Sequence, residues 1–178
     1  MKVHVLVLDG VFDTGLATVL DAFATANELA EMFGLTSLRF EVTMVGVRKA
    51  VNTAQGLKVP VVPLADRATP DLAVVPALGY KTPGPLLAAL ARQDVSDAGQ
   101  ALRRWAGQGA TVAAACVGTF VLAESALLDG HDATTTWWLA PLFRQRYPKV
   151  RLDESRIIIP SGQLLTAGAA LSHLDMAL

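Results

Sequence analysis

Apolar residues occur along the chain in short continuous runs that alternate with longer stretches in which they recur at helical spacing. The short runs predict buried strands, and the longer stretches predict helices that pack on them. Strands are predicted over residues 3–8, 38–47, 71–76, 111–115, 156–159 and 163–166. Helices are predicted over residues 14–33, 86–92, 96–106 and 137–146, with another from about 116 to the turn at 127–130. Residues 51–64 hold two prolines and a glycine, which predict an irregular hairpin of short edge strands.

This alternation predicts the fold class. Strands that are apolar throughout and separated by helices are typical of a mostly parallel sheet with helices on both faces, a three-layer α/β sandwich. A length of 178 residues favours one domain spanning 1–178. In such sheets functional sites lie past the carboxyl ends of the strands. We therefore expect chemistry in the loops after Leu8, Pro76 and Ala115.

The last ten residues, 169–178, predict an apolar-striped helix with no glycine, proline or basic residue to end it. Ser96 is expected to cap the helix over 96–106 at its N-terminus. The uncapped final helix leads us to expect that further polypeptide follows in the natural protein.

Charge and composition exclude several classes of function. Hydrophobic residues make up 52% of the chain and the mean hydropathy is +0.41, which excludes a disordered protein. The formal net charge is -1 and the basic residues are scattered, with Arg103-Arg104 as the nearest approach to a cluster, so we expect no nucleic-acid contact from this chain. The uncharged stretch 106–123 contains three glycines and two threonines, and it favours a strand and a helix over a membrane span.

A single cysteine, Cys116, excludes a disulfide framework and a cysteine-based zinc cluster, and it suits a reducing cytoplasm. The start of the chain lacks the pattern of a signal peptide, so we expect a cytoplasmic protein. No metal site and no cofactor is predicted.

Cys116 follows a predicted strand directly and opens a helix, with Ala114 and Gly118 as small neighbours. This is the sequence form of a nucleophile elbow, a sharp turn that strains the backbone of one residue. The start of the helix is expected to lower the pKa of the thiol, and the N–H of Val117 with one near Gly79 would form an oxyanion hole. The alternative is that Cys116 is a small buried hydrophobic residue.

A catalytic cysteine also needs a base, which is usually histidine. The chain has three histidines. His4 lies in the first predicted strand, His131 in the turn after Asp129-Gly130, and His173 on the terminal helix. The sequence places neither His131 nor His173 at the elbow, and either remains open as a base.

From the elbow onward the sequence resembles the ThiJ/PfpI-type, class I glutamine amidotransferase-like superfamily, in the form that precedes the DNA-binding domain of AraC-family transcriptional regulators. The segments that carry the resemblance are Ala115-Cys116-Val117-Gly118-Thr119-Phe120, Leu127-Leu128-Asp129-Gly130, Ala133-Thr134-Thr135-Thr136-Trp137 and Leu165-Thr166-Ala167-Gly168. Residues 23–27 match the first helix of the family and 174–178 match its end, so the resemblance covers essentially the whole chain. It implies a flavodoxin-like sandwich.

The resemblance also exposes departures. Enzymes of the superfamily pair the elbow cysteine with a histidine about twenty residues later and an acid after the first strand. Here Thr136 stands at the histidine position and Gly15 at the acid position, with Asp13 two residues earlier. His173 stands where the family has a small residue. The thiol is therefore retained without its usual acid and base, which favours binding over turnover.

The expected function is that of a non-catalytic sensing and dimerising domain of an AraC-family regulator. A small-molecule effector would bias the geometry of a homodimer, and DNA would be contacted only by a helix-turn-helix domain absent from this chain. The expected pocket residues are Asp13, Gly15, Gly79, Cys116, Val117, Thr136 and Gly168. The alternative is a cysteine-dependent hydrolase or hydratase of a small amide, isonitrile or aldehyde, and a third possibility is an oxidation sensor built on Cys116.

Overall fold

A computed structural model describes residues 1–35, 37, 39–64 and 68–168 of the chain. The strands are β1 (Lys2–Leu6), β2 (Glu41–Gly46), β3 (Ala50–Asn52), β4 (Lys58–Pro60), β5 (Val62–Pro63), β6 (Leu72–Val75), β7 (Thr111–Ala115), β8 (Asp132–Ala133), β9 (Arg151–Leu152), β10 (Ile158–Ser161) and β11 (Leu164–Ala167). The helices are α1 (Asp13–Met32), α2 (Pro83–Leu90), α3 (Gln93–Gly107), α4 (Gly118–Glu124) and α5 (Ala140–Arg146), with a 3₁₀ turn at Trp137–Leu139.

Seven of the strands form one sheet in the order β10-β11-β7-β6-β1-β2-β5. All neighbouring pairs in it are parallel except β10 and β11, which form an antiparallel hairpin at one edge. The strands β3 and β4 form the irregular hairpin expected within residues 51–64. The predicted fold class, a mostly parallel sheet in a flavodoxin-like sandwich, is confirmed. Within the described ranges, no helix has the length and apolar character required to cross a membrane.

The first strand shows why the sheet has a layer on each face. Val3, Val5 and Val7 are fully buried in a cluster with side chains of α1. Leu6 and Leu8 belong to a second cluster, which includes residues of α2, α3 and α4. Successive side chains of a strand point to opposite faces, so a strand that is apolar at every position is buried on both. This burial stabilises the edge on which the functional loops stand.

Several predicted boundaries differ from the observed ones. The helix predicted from Ser96 begins at Gln93, so Ser96 is not its cap. The helix predicted over 86–92 begins at Pro83, because a proline needs no hydrogen bond in the first turn of a helix. The helix after the elbow ends at Glu124, and Ala126 then adopts a positive φ of 60° in the following turn. The helix predicted over 137–146 begins instead with a 3₁₀ turn, and Pro141 lies in the first turn of α5.

The terminal helix predicted over 169–178, with His173 on it, lies outside the described residues.

Candidate functional site

The carboxyl ends of β1, β6, β7 and β11 lie side by side, and the loops that follow them are tied together by backbone hydrogen bonds. The N–H of Phe12, after β1, donates to the carbonyl of Ala77, after β6, at 2.8 Å. The N–H of Cys116, after β7, donates to the carbonyl of Ala167 at the end of β11, also at 2.8 Å. The loops predicted to carry chemistry therefore share one edge of the sheet.

The turn between β7 and α4 has the geometry expected of an elbow. Cys116 adopts a φ of 53°, a left-handed conformation that costs a residue with a side chain on the order of 1 kcal/mol or more. Position 118, the first residue of α4, requires glycine because a Cβ there would clash with the carbonyl oxygens of Val75 and Pro76. Cys116 is only 2% exposed, so its thiol is buried at this edge of the sheet and does not project into solvent.

Three consecutive buried threonines pack behind the elbow. Thr135 Oγ1 donates to the carbonyl of Cys116 at 2.7 Å, and Thr134 Oγ1 donates to the carbonyl of Arg156 at 2.8 Å. The side chain of Thr136 is fully buried beside the thiol, and its Oγ1 makes no hydrogen bond of normal geometry within the described part of the chain. Thr136 is therefore the threonine whose hydroxyl remains available.

The environment of Cys116 keeps its thiol protonated. Burial raises the pKa of the Cys116 thiol above its ordinary value. The N–H of Val117, the hydroxyl of Thr136 and the ammonium of Lys81 each act to lower the pKa, and together they do not offset the burial. The start of the helix therefore lowers the pKa through the Val117 N–H, as expected, but burial outweighs this contribution. At neutral pH the group is a thiol, which is a poor nucleophile and a poor oxidation sensor.

Asp13 and Gly79 lie on the β1 side of the same edge. Asp13 is the first residue of α1, and its Oδ2 accepts a hydrogen bond from the N–H of Gln55 at 3.1 Å. Gly79 donates its own N–H to the carbonyl of Gly10 at 2.7 Å, so this N–H is not available to an oxyanion. The second donor of the suggested oxyanion hole, an N–H near Gly79, is therefore not the N–H of Gly79 itself, and the oxyanion hole stays a prediction.

The remaining expected pocket residues are Gly15 and Gly168. Gly15 is buried in the first turn of α1, two residues after Asp13. Gly168 follows β11, and its N–H donates to the carbonyl of Ile157 at 2.8 Å. A Cβ at Gly168 would lie 3.5 Å from Thr134 Oγ1, so it is close to the buried threonines. The Thr136 hydroxyl and the Val117 N–H thus lie beside the Cys116 thiol. Asp13 begins α1, Gly15 is buried within α1, and Gly79 lies in the loop after β6.

His131 is not the missing base. Its Nδ1 lies 3.0 Å from Ser161 Oγ at the turn between β10 and β11, which lies beside the start of β7. Cys116 follows the other end of that five-residue strand, about 13 Å away at the rise of a β-strand. His4 is buried in β1 with its ring edge-on to Trp105. In the described ranges, no three His, Cys, Asp or Glu side chains are grouped so that they could hold a metal ion.

Sequence reasoning missed two basic residues near the site. Lys81 lies in the loop after β6, where its ammonium sits 4.0 Å above the ring of Phe12 and acts on the thiol. Arg92 donates to the carbonyl of Asp9, to Tyr80 Oη and to both carboxylate oxygens of Asp94. The position of Lys81 past a buried strand was the available signal, whereas nothing in the local sequence marks Arg92.

The unequal roles of the threonines give a matched pair of variants. We expect Thr136→Val to raise the free energy of unfolding by about 1 kcal/mol, because it removes a buried hydroxyl that makes no hydrogen bond of normal geometry to any described residue. We expect Thr135→Val to lower it by about 1–2 kcal/mol, because the carbonyl of Cys116 loses its donor. Urea unfolding measures both changes in the free energy of unfolding, provided that the variants and the parent share the same dependence on urea concentration. Equal destabilisation by the two variants would mean that the Thr136 hydroxyl is satisfied in the folded chain.

Two HTH-type transcriptional regulators are similar to part of this chain. GlxA of Rhizobium meliloti (strain 1021) is 32% identical over 83 residues, which are 47% of this chain and 25% of that protein. CdhR of Pseudomonas aeruginosa is 33% identical over 79 residues, which are 44% of this chain and 23% of that protein. The matched segment thus spans about a quarter of the length of these relatives.

Solved structures share the fold across the whole chain. An AraC family transcriptional regulator from Pseudomonas putida superimposes with a TM-score of 0.78 at 18% identity, covering 99% of this chain and 88% of that one. Drosophila melanogaster DJ-1beta does so with a TM-score of 0.73 at 20% identity, covering 99% and 86%. The family model described as "DJ-1/PfpI family" matches residues 1–178. With this fold, an elbow cysteine and relatives among the HTH-type regulators, the chain belongs to the DJ-1/PfpI family.

Proposed function

We propose that this chain is the effector-sensing and dimerising domain of an AraC-type transcriptional regulator. Its similarity to HTH-type regulators supports the regulatory role. A net charge of -1 without a basic cluster supports assigning the DNA contact to a helix-turn-helix domain outside these 178 residues. The chain itself would supply the pocket and the dimer contact.

The observation that carries the proposal is the pairing of the elbow thiol with Thr136. A threonine hydroxyl does not accept a proton at neutral pH, and loss of general acid–base help removes about 10²–10⁴-fold in rate. Burial keeps Cys116 protonated, which removes the nucleophile as well. His131 is at the far end of β7, and His173 lies outside the described residues. An edge with these properties is suited to holding a ligand and not to transforming it.

The proposed mechanism is a population shift. An effector that contacts the loops after β1, β6 and β7 binds one arrangement of these loops better than another, and it favours that arrangement by its difference in affinity. The proposed contact residues are Asp13, Gly15, Gly79, Cys116, Val117, Thr136 and Gly168. The loops are hydrogen-bonded to one another, so a shift in one is passed to its neighbours.

A fusion reporter tests the proposal. Residues 1–178 are joined to a DNA-binding domain that occupies its operator only as a dimer, and repression of a reporter gene is measured in cells grown on different nutrient sources. We expect repression above that of the DNA-binding domain alone, with a change of about fivefold or more between media. Thr136→Val should remove the response to the medium and keep the repression.

Two results would contradict the proposal. One is a chain that sediments as a monomer at every concentration and gives no repression. The other is turnover of small amides, isonitriles or glyoxals at enzymatic rates that Cys116→Ala abolishes, which would favour the hydrolase or hydratase alternative.

A further inference from the structure

Four large apolar residues are exposed at the end of α1. Leu29, Met32 and Phe33 lie three and four residues apart, so they are neighbours on one side of the helix end. Leu35 is held beside them, because its N–H donates to the carbonyl of Ala30 at 2.8 Å, as in a helix that ends in a Schellman motif. The four residues are between 45% and 68% exposed, and they form what we call the α1 patch.

The α1 patch is large enough for a contact between protein domains. Its four side chains expose roughly 450 Å² of surface, since a large apolar side chain carries about 200 Å². Exposed apolar patches of about 300–600 Å² are often functional. A contact between two domains of one polypeptide buries about 300–750 Å² on each side. The α1 patch therefore supplies the apolar centre of a contact of this kind.

The charge of α1 indicates which partner the patch can bind. The helix holds four acidic residues and no basic residue, and Asp21, Glu28 and Glu31 form no ion pair with any described residue. The carbonyl end of a helix is itself negative, and no basic side chain in the last turn of α1 offsets it. Like charges across an interface are unfavourable, so a basic partner fits this surface better than a second copy of the chain does.

The α1 patch lies away from the candidate site. The helix begins at Asp13, after the carboxyl end of β1, and runs back across the sheet before β2 starts at Glu41. A helix of 20 residues is about 30 Å long, so α1 ends at the edge of the sheet opposite the loops of the site. A partner on the α1 patch therefore leaves the edge that is proposed to bind the effector open.

We propose, on the basis of the proposed function, that the α1 patch is the docking surface of the DNA-binding domain of the regulator. A domain that binds DNA presents basic side chains to the phosphates, so its charge is opposite to that of α1. The acidic side chains of α1 attract the same basic side chains that the phosphates attract. Docking and DNA binding therefore exclude each other, and docking holds the domain off DNA.

Binding between separate domains tests the docking. The probes are the isolated helix-turn-helix domains of the relatives GlxA and CdhR, each labelled with a fluorophore, and their anisotropy is measured as residues 1–178 are added. We expect at least one of them to bind. Raising the salt concentration from about 50 mM to about 200 mM should weaken the binding, because salt screens the attraction between charges. A DNA duplex of random sequence should displace residues 1–178 from the labelled domain.

Substitutions within the α1 patch locate the contact. The double variant Met32→Gln/Phe33→Gln should weaken the binding about tenfold or more, because it removes the apolar centre. Glu28→Gln together with Glu31→Gln should weaken it about threefold, because exposed charges contribute less. Leu57→Gln is the matched control and should leave the binding unchanged, because Leu57 is also exposed but lies in the loop between β3 and β4. All five side chains are exposed, so the fold should tolerate these changes.

Four results would overturn this inference. They are binding by neither domain, binding that survives Met32→Gln/Phe33→Gln, binding that salt strengthens, and conversion of a dimer of residues 1–178 into a monomer by the same double variant. The last result would make the patch the contact between two copies of the chain. If docking fails while the fusion reporter still responds to the medium, the inference is wrong and the proposed function stands. Loss of the reporter response as well would remove both.

Discussion

Gly118→Ala is expected to lower the free energy of unfolding by about 3 kcal/mol or more, a large fraction of the stability of a small domain. A Cβ at this position would meet the carbonyl oxygen of Val75 and would lie 2.8 Å from that of Pro76. Both oxygens belong to the backbone at the end of β6, so neither can move aside as a flexible side chain would. The elbow would have to shift as a whole, and with it the thiol of Cys116.

Gly107→Ala is the matched control for this variant. Gly107 is the last residue of α3, and a Cβ there would meet nothing within 4 Å. Alanine is favoured over glycine in a helix, so this substitution is expected to stabilise the chain by up to about 1 kcal/mol. The urea concentrations at the unfolding midpoints of the two variants compare their stabilities, provided that both depend on urea concentration with the same slope. Stabilities within about 0.5 kcal/mol of the parent for Gly118→Ala would show that the turn is not close-packed.

The fold was predictable because its main signals are local. Strands that lie in the middle of a parallel sheet are apolar at every position, as Val3 to Leu8 are, and this pattern is visible without any knowledge of neighbours. The elbow was predictable for a similar reason. The small residue Gly118 follows Cys116 at the spacing that a sharp turn from strand to helix requires, and the positive φ of Cys116 is the result.

The chemistry of the site was less predictable because it depends on contacts between distant parts of the chain. The pKa of the Cys116 thiol is raised because the folded domain buries it, and this burial outweighs the nearby groups that lower the pKa. Likewise, His131 is fifteen residues from the elbow along the chain, yet the strand pairing places it beside Ser161 at the other end of β7. The helices α2 and α3 begin earlier than expected, at Pro83 and Gln93, and no side-chain hydrogen bond caps either of them.

The site retains features that cost stability. Cys116 keeps a strained backbone, and among the described residues two polar atoms at this edge of the sheet, Thr136 Oγ1 and Asp13 Oδ1, have no hydrogen-bond partner. Backbone strain and polar groups without hydrogen bonds persist where function requires them, because elsewhere single substitutions that remove them are readily selected. The combination therefore argues for a ligand that uses the shape of the elbow and not its nucleophile.

Arg92→Met is expected to lower the free energy of unfolding by about 2–3 kcal/mol and to loosen the site. The Arg92 guanidinium binds both oxygens of Asp94, whose side chain is only 8% exposed, and methionine would leave that carboxylate buried without its counter-ion. Arg92 also donates to the carbonyl of Asp9 and to Tyr80 Oη, so it fastens the loop after β1 to the loop after β6. These are the loops that lead to Asp13 and Lys81. We expect this loss of stability to be smaller than for a fully buried ion pair, because 28% of the Arg92 side chain is exposed to solvent.

Two controls separate the charge from the fastening of the loops. Adding Asp94→Asn to Arg92→Met should recover part of the stability, because the buried charge is removed together with its partner. Arg104→Met, on the exposed side of α3, should change stability by less than about 0.5 kcal/mol. Hydrogen exchange of the backbone in residues 9–12 and 77–81 should remain fast in the double variant, because the loops are still unfastened even when the charge is gone. Slow exchange in the double variant would contradict this expectation. It would mean that the unpaired charge of Asp94 disorders the edge on which the effector is proposed to bind, and that the lost hydrogen bonds to the two loops do not.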